Sequence, residues 1–163
     1  MPSAAHLVDL ASRYLDANPY GFLVTHGSGG GPHARLVQHL ASDADRIWIG
    51  TSPRSRKAID VAGSPQVAYA VEDRAAFAYV TFHGAASVVD DLGVRAQRWA
   101  EGLEAFFPGG PRGTDFVLLS VLVDRIEIMD FAEGVHPDPY GLVPAVVERA
   151  GASWVLTQAE RRR

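Results

Sequence analysis

The sequence predicts a mainly β (α+β) protein, a six-stranded antiparallel barrel with flanking helices, and three observations predict it. Six apolar runs of strand character recur between turns rich in Gly, Pro, Asp and Ser. The first three follow one another through short turns, which indicates an antiparallel meander and not alternating βαβ units. At 163 residues the chain suits one domain over 1–163 with a sizeable core, and small antiparallel barrels are built at this size.

Ser3 to Leu15 opens the chain with helical spacing of Leu7, Leu10, Ala11, Tyr14 and Leu15, Ser3 being the N-cap of a helix over 3–17. Asn18-Pro19-Tyr20-Gly21 ends that helix, since proline cannot continue it. Phe22–Thr25 reads as the first strand, Ala34–Leu40 as the second and Arg46–Thr51 as the third. His26 to Pro32 is glycine-rich, but no Lys-Ser/Thr pair and no helix follow it, so a hairpin loop is preferred over a phosphate loop. Ser52-Pro53 signals a short helix to Val61, with Arg54, Ser55, Arg56 and Lys57 in its first turns. Gly63-Ser64-Pro65 ends it. Gln66–Glu72 and Ala78–Val89 are the next strands, with Gly84 marking a bulge or a close backbone approach. Leu92–Phe107 has helical spacing, Pro108–Gly113 breaks it, and Phe116–Met129 is the last long strand. Leu142–Glu148 and Trp154–Thr157 form a terminal hairpin within a tail over 135–163.

Composition excludes several functions. Hydrophobic residues at 47% and charged residues at 21% are ordinary for a folded domain, which argues against disorder. A net charge of −4 offers no field for nucleic acid, and the basic end Arg161–Arg163 reads as a solvated terminus. The absence of cysteine removes disulfides, thiolate metal sites and a cysteine nucleophile. With no signal-type run and no apolar stretch of ~20 residues, a cytoplasmic protein without a membrane span is expected. His33 and His39 share strand parity but stand about 20 Å apart on an extended strand, so no metal site is expected. No Gly-x-Ser-x-Gly elbow is present.

The segment that carries chemistry is Thr51-Ser52-Pro53-Arg54-Ser55-Arg56-Lys57. Cations at a helix start oppose the helix dipole, and a bound phosphate offsets that repulsion. A solvated basic turn with an ordinary serine cap fits the composition equally well. Arg35 alternates with Val37 and His39 on one face of its strand, and is either an edge charge or a second cation for the same anion.

These residues, in this order, resemble the pyridoxamine 5′-phosphate oxidase-like, FMN-binding split-barrel superfamily from about Phe22 to Phe131. The shared pattern is Arg35, then Thr51-Ser52, then Ser55-Arg56-Lys57, then Ser64-Pro65-Gln66-Val67, then Phe82-His83-Gly84-Ala85. Trp99, Phe107-Pro108-Gly109-Gly110 and the strand after Phe116 are similar to the general stress protein branch. Arg112-Gly113-Thr114 departs from that branch's Asp-Asp-Pro, as does Met129 from its tryptophan before Asp130, and the oxidase's terminal Arg/His substrate motif is missing. Pyridoxamine phosphate is therefore not the expected substrate.

The resemblance implies a split barrel in which Arg35, Ser55, Arg56 and Lys57 hold the FMN phosphate. By the same resemblance Thr51 and Ser52 donate to phosphate or ring, and the backbone of Leu36, Val37 and Gln38 runs along the ring edge. Tyr79 would reach the flavin from a neighbouring strand, with a core aromatic as the bland reading. Trp99 and Phe107 would cover the ring from a partner subunit, with helix packing as the bland reading. A homodimer with the cofactor at its interface is implied, acting as an FMN-dependent oxidoreductase between a nicotinamide donor and a small-molecule acceptor. A deazaflavin enzyme, suggested by the extra Arg54, and a non-catalytic flavin or heme module are the alternatives. No catalytic acid or base is singled out.

Overall fold

Helix α1 spans Ala4–Ala17, α2 Arg56–Gly63 and α3 Leu92–Arg98; strands β1 to β8 span Tyr20–His26, Pro32–Gln38, Arg46–Thr51, Gln66–Asp73, Ala78–Val89, Val117–Asp130, Ala145–Ala150 and Ser153–Thr157. The computed structural model describes residues 2–136 and 143–157. Leu142, read as the start of the terminal hairpin, and the basic end Arg161–Arg163 lie outside the described residues.

All strands are antiparallel, in the order β2-β1-β4-β5-β6-β7-β8 with β3 also paired to β6. The long β6 takes three neighbours. Residues 117–122 pair with β3, residues 125–128 pair with β7, and the opposite edge pairs with β5. The terminal hairpin thus extends the sheet from six strands to eight. Among the described residues no ladder joins β2 to β3. The chain leaving β2 touches β3 through the Leu40 N–H, which donates to the Trp48 carbonyl at 2.7 Å. The sheet is split at this seam.

Local chemistry explains the elements. Ser3 caps α1 by accepting from the His6 N–H at 3.2 Å, and Leu7, Leu10, Ala11 and Leu15 bury the helix's apolar face in the main core. Gly84 sits at a register shift between β5 and β6. A Cβ there would stand 2.1 Å from the Leu122 carbonyl oxygen, so only glycine allows the strands to approach.

Two expectations are corrected. The short helix starts at Arg56, not at Pro53: Ser55 is its N-cap and accepts from the Ala58 N–H. Pro53 and Arg54 instead occupy the centre of a turn closed by the Ser55 N–H on the Ser52 carbonyl at 3.0 Å, a position that suits proline's fixed φ. The helix expected over Leu92–Phe107 ends at Arg98. Trp99 is extended and Gly102 has φ 93°, a left-handed conformation natural to glycine, before a single 3-10 turn over Leu103–Ala105.

Candidate functional site

A cleft of about 460 Å³ opens at the seam between β2 and β3. Its walls are Leu36, Val37 and Gln38 of β2, Gly50 and Thr51 of β3, Lys57 of α2, and the loop residues Leu103, Phe106 and Phe107. A volume of this size suits a cofactor or drug-sized ligand. One end is apolar, with Leu36 59% and Phe106 76% exposed. The other end is the N-terminus of α2.

That N-terminus is electrostatically unusual. Arg56 and Lys57 are its first two helical residues, and its first turn holds no acidic residue. Both cations oppose the helix dipole. Burial, and then the charge of Arg35, push the Lys57 ammonium below its ordinary value. Burial does the same to Arg35, against the opposing pull of Asp60 and with Arg56 adding a smaller repulsion. The three cations therefore crowd one another. The structure supplies hydroxyls as well: Thr51, buried at the end of β3, donates to the Ser55 Oγ at 3.0 Å, tying the strand to the helix cap.

Arg35 faces inward with Val37, as alternation requires. Its Nη1 donates to the Leu23 carbonyl at 3.2 Å and to the Thr25 Oγ1 at 2.8 Å. Beneath it lies the buried carboxylate of Asp60. The Oδ2 of Asp60 accepts from the Thr25 hydroxyl at 2.7 Å and from the His33 Nδ1 at 2.8 Å, and lies 3.6 Å from the Arg35 Nη2. The hydrogen bonds from Thr25 and His33 hold the Asp60 carboxyl below the usual carboxylate range, so it is ionised at neutral pH.

The fold brings together most of the residues singled out in the sequence. Leu36, Val37, Gln38, Thr51, Lys57 and Phe107 line the cleft. Ser55 is bonded to Thr51, Arg56 is the exposed neighbour of Lys57, and Ser52 closes the turn just before them. Two stand apart. Tyr79 lies on β5, in register with Glu72 and Met129, and does not line the cleft. Trp99 packs edge-on against Phe116, ring centroids 5.0 Å apart, in a second small core with Leu40, Trp48 and Leu118. Phe107 serves both places, since it also lies 5.0 Å from the Phe116 ring.

Sequence reasoning missed Tyr20, Leu103 and Phe106 on the cleft wall, and Thr25, His33 and Asp60 beneath Arg35. Asp60 carried a usable signal: it stands four residues after Arg56, one helical turn along the same face. Among the described residues no group of three or more His, Cys, Asp or Glu is placed to hold a metal ion. A larger cleft of about 720 Å³ lies between the His26–Gly30 loop and the second half of α2, and Asp60, the carboxylate beneath Arg35, is part of its lining.

Comparison with known proteins agrees with this architecture. No curated protein matches the chain. A protein related to general stress protein 26 of B. subtilis (pyridoxinephosphate oxidase family), from Clostridium acetobutylicum, superposes with a TM-score of 0.71 at 17% identity, over 80% of this chain and 92% of that one. A pyridoxamine 5′-phosphate oxidase-related, FMN-binding protein from Nostoc punctiforme superposes with a TM-score of 0.61 at 16% identity, over 96% of each chain. A heme-binding protein from Mycobacterium smegmatis gives a TM-score of 0.59 at 21% identity, over 82% of this chain and 56% of that one. At these identities the structural likeness speaks to the fold. The sequence itself matches the family model described as "Pyridoxamine 5'-phosphate oxidase like" over residues 6–153, and the chain belongs to that family.

Proposed function

We propose that this protein binds FMN in the seam cleft and acts as a flavin-dependent oxidoreductase on a small-molecule substrate. The observation that carries the reading is the crowding of Arg35, Arg56 and Lys57 around a helix N-terminus with no carboxylate in its first turn. A phosphate monoester there would accept from the free N–H groups of α2, from the Ser55 hydroxyl and from the cationic side chains. The apolar end of the cleft would take the ring, between Leu36 and Val37 on one side and Leu103, Phe106 and Phe107 on the other. Bound FMN supplies hydride or electron transfer. The residues of this chain anchor its tail, orient its ring and exclude water from one ring face.

A second copy of the chain is part of this reading. Tyr20, Phe22 and Leu36 are each half or more exposed and lie side by side on β1 and β2, Phe22 in register with Leu36. This apolar stripe runs into the cleft wall, where Tyr20 and Leu36 recur. A homodimer would cover the stripe and close the open side of the cleft. Trp99 and Tyr79 would contribute to a flavin site in such an assembly only from a partner.

Heme and deazaflavin are the competing cofactors. No histidine lines the seam cleft, and both ring nitrogens of His39 are bonded, to Tyr69 and to Leu15. This favours FMN over a histidine-ligated heme. Exposed Arg54 is the feature that would suit the longer anionic tail of a deazaflavin.

The test is the absorption spectrum and mass of what co-purifies, with FMN titration of the Arg56→Ala/Lys57→Ala variant. Each charge-assisted hydrogen bond lost removes about 1.5–3 kcal/mol, so the pair should weaken binding by several kcal/mol. Unchanged affinity removes the assignment. Bound flavin that no nicotinamide donor reduces leaves a binding module and removes the enzyme.

A further inference from the structure

The feature that the proposed chemistry does not use is the buried carboxylate under the cation cluster. We propose that Asp60 is a positioning residue, which with Thr25 holds the Arg35 guanidinium ready for the terminal phosphate of the cofactor. This rests on the phosphate reading above.

Three elements converge on one oxygen. Thr25 from β1, His33 and Arg35 from β2, and Asp60 from α2 all meet at the Asp60 Oδ2. Thr25 is the hinge of the arrangement. Its hydroxyl donates to Asp60 and accepts from the Arg35 Nη1, so one buried side chain couples acid to base. The Leu23 carbonyl fixes the same nitrogen from the other side. The guanidinium is planar and rigid, so holding Nη1 at two points sets the direction of the remaining edge.

Asp60 orients Arg35 without saturating it. The Arg35 Nη2 is buried and makes no hydrogen bond, and at 3.6 Å it is beyond bonding distance of the carboxylate. Asp60 already receives two shorter bonds at that oxygen. Arg35 therefore retains an unpaired donor and a charge only partly countered, in a place where an unmet donor is costly. An anion that accepts from that donor removes the cost.

The location of Asp60 separates a prop from a competitor. A carboxylate that merely replaced the phosphate would sit in the first turn of α2, where the free N–H groups are. Asp60 sits one turn later, four residues after Arg56 and three after Lys57, about 5 Å further along the axis. It supports the cluster from behind and leaves the helix N-terminus open. Its charge also lowers the sum of Arg35, Arg56 and Lys57 by one, which leaves an excess matched to a dianionic monoester.

The experiment compares FMN with riboflavin, which lacks the phosphate, by calorimetric titration of wild type, Asp60→Ala, Asp60→Asn and Thr25→Val. Positioning predicts that Asp60→Ala and Thr25→Val each weaken FMN about 10-fold or more and leave riboflavin unchanged, the scale seen for lost supporting partners. Asp60→Asn keeps an acceptor for Thr25 and His33, and should restore FMN affinity to within a few-fold of wild type. If Asp60→Ala does not fold, Thr25→Val carries the test, since valine fills the same space. Equal losses for both ligands mean a structural role only and overturn the proposal. Unchanged or tighter FMN binding in Asp60→Ala makes Asp60 a bystander or a competing anion and also overturns it. Wild type that holds FMN no better than riboflavin removes the phosphate reading itself, and this proposal with it.

Discussion

The Nδ1 of His39 stands 2.8 Å from the Tyr69 hydroxyl, and the partner at its other nitrogen decides the direction of that bond. The His39 Nε2 is 3.0 Å from the Leu15 carbonyl, which can only accept, so Nε2 carries the proton. Nδ1 is then the acceptor and Tyr69 the donor. The neutral imidazole thereby joins the end of α1, the end of β2 and the middle of β4. Gly21 makes the room, since a Cβ there would stand 2.5 Å from the Tyr69 Cζ.

This pairing predicts acid sensitivity well above the carboxylate range. Burial pushes the His39 pKa below its ordinary value of 6.5. A histidine whose folded pKa is depressed binds fewer protons folded than unfolded, so its stabilisation is complete above the unfolded pKa and is lost as pH falls through it. Unfolding midpoints in urea should drop between pH 7 and pH 5, by at most about 1.4 kcal/mol per pH unit for this one proton. His39→Gln should be less stable at pH 7 and show a flatter profile. Equal slopes in the two proteins would show that His39 is not the sensor.

Gly84→Ala should destabilise the fold by about 2 kcal/mol or more. The added methyl meets the Leu122 backbone oxygen, which cannot move aside as a flexible side chain would. The shift of the denaturation midpoint measures it. A midpoint within about 0.5 kcal/mol of wild type would mean that β5 and β6 separate at little cost there.

Phe22→Glu should turn the expected dimer into a monomer. Phe22 is 50% exposed at the centre of the apolar stripe, so a carboxylate costs the single chain little and a packed interface much. Light scattering after size exclusion reads the mass, and FMN affinity should fall with it. A wild-type protein that runs as a monomer at micromolar concentration sinks the interface.

Much of this was legible in local sequence. The Ser3 cap, the Gly84 contact and the alternation of Arg35 with Val37 depend on neighbours or on fixed periods. The crowded cations were legible because like charges at a helix start have few local reasons to be there. What escaped depends on distant segments. Nothing in the spacing of Thr25, His33, Arg35 and Asp60 shows that two strands and a helix would bring them to one oxygen. The helix read through Trp99 stopped early because the Trp99 ring packs against Phe116, seventeen residues on, while Gly102 favours a left-handed turn. The apolar spacing of 92–107 was genuine, but it served two short pieces of chain.

The pairing of β6 with three strands has a consequence for biosynthesis. Among the described residues strands β3 and β5 share no ladder with each other, and both pair with β6. On the ribosome the earlier hairpins will emerge first, with their inner faces uncovered, and wait for that segment to clear the exit tunnel. The order of synthesis therefore makes closure of this sheet a late event, and any factor that shields nascent chains has its longest opportunity before it.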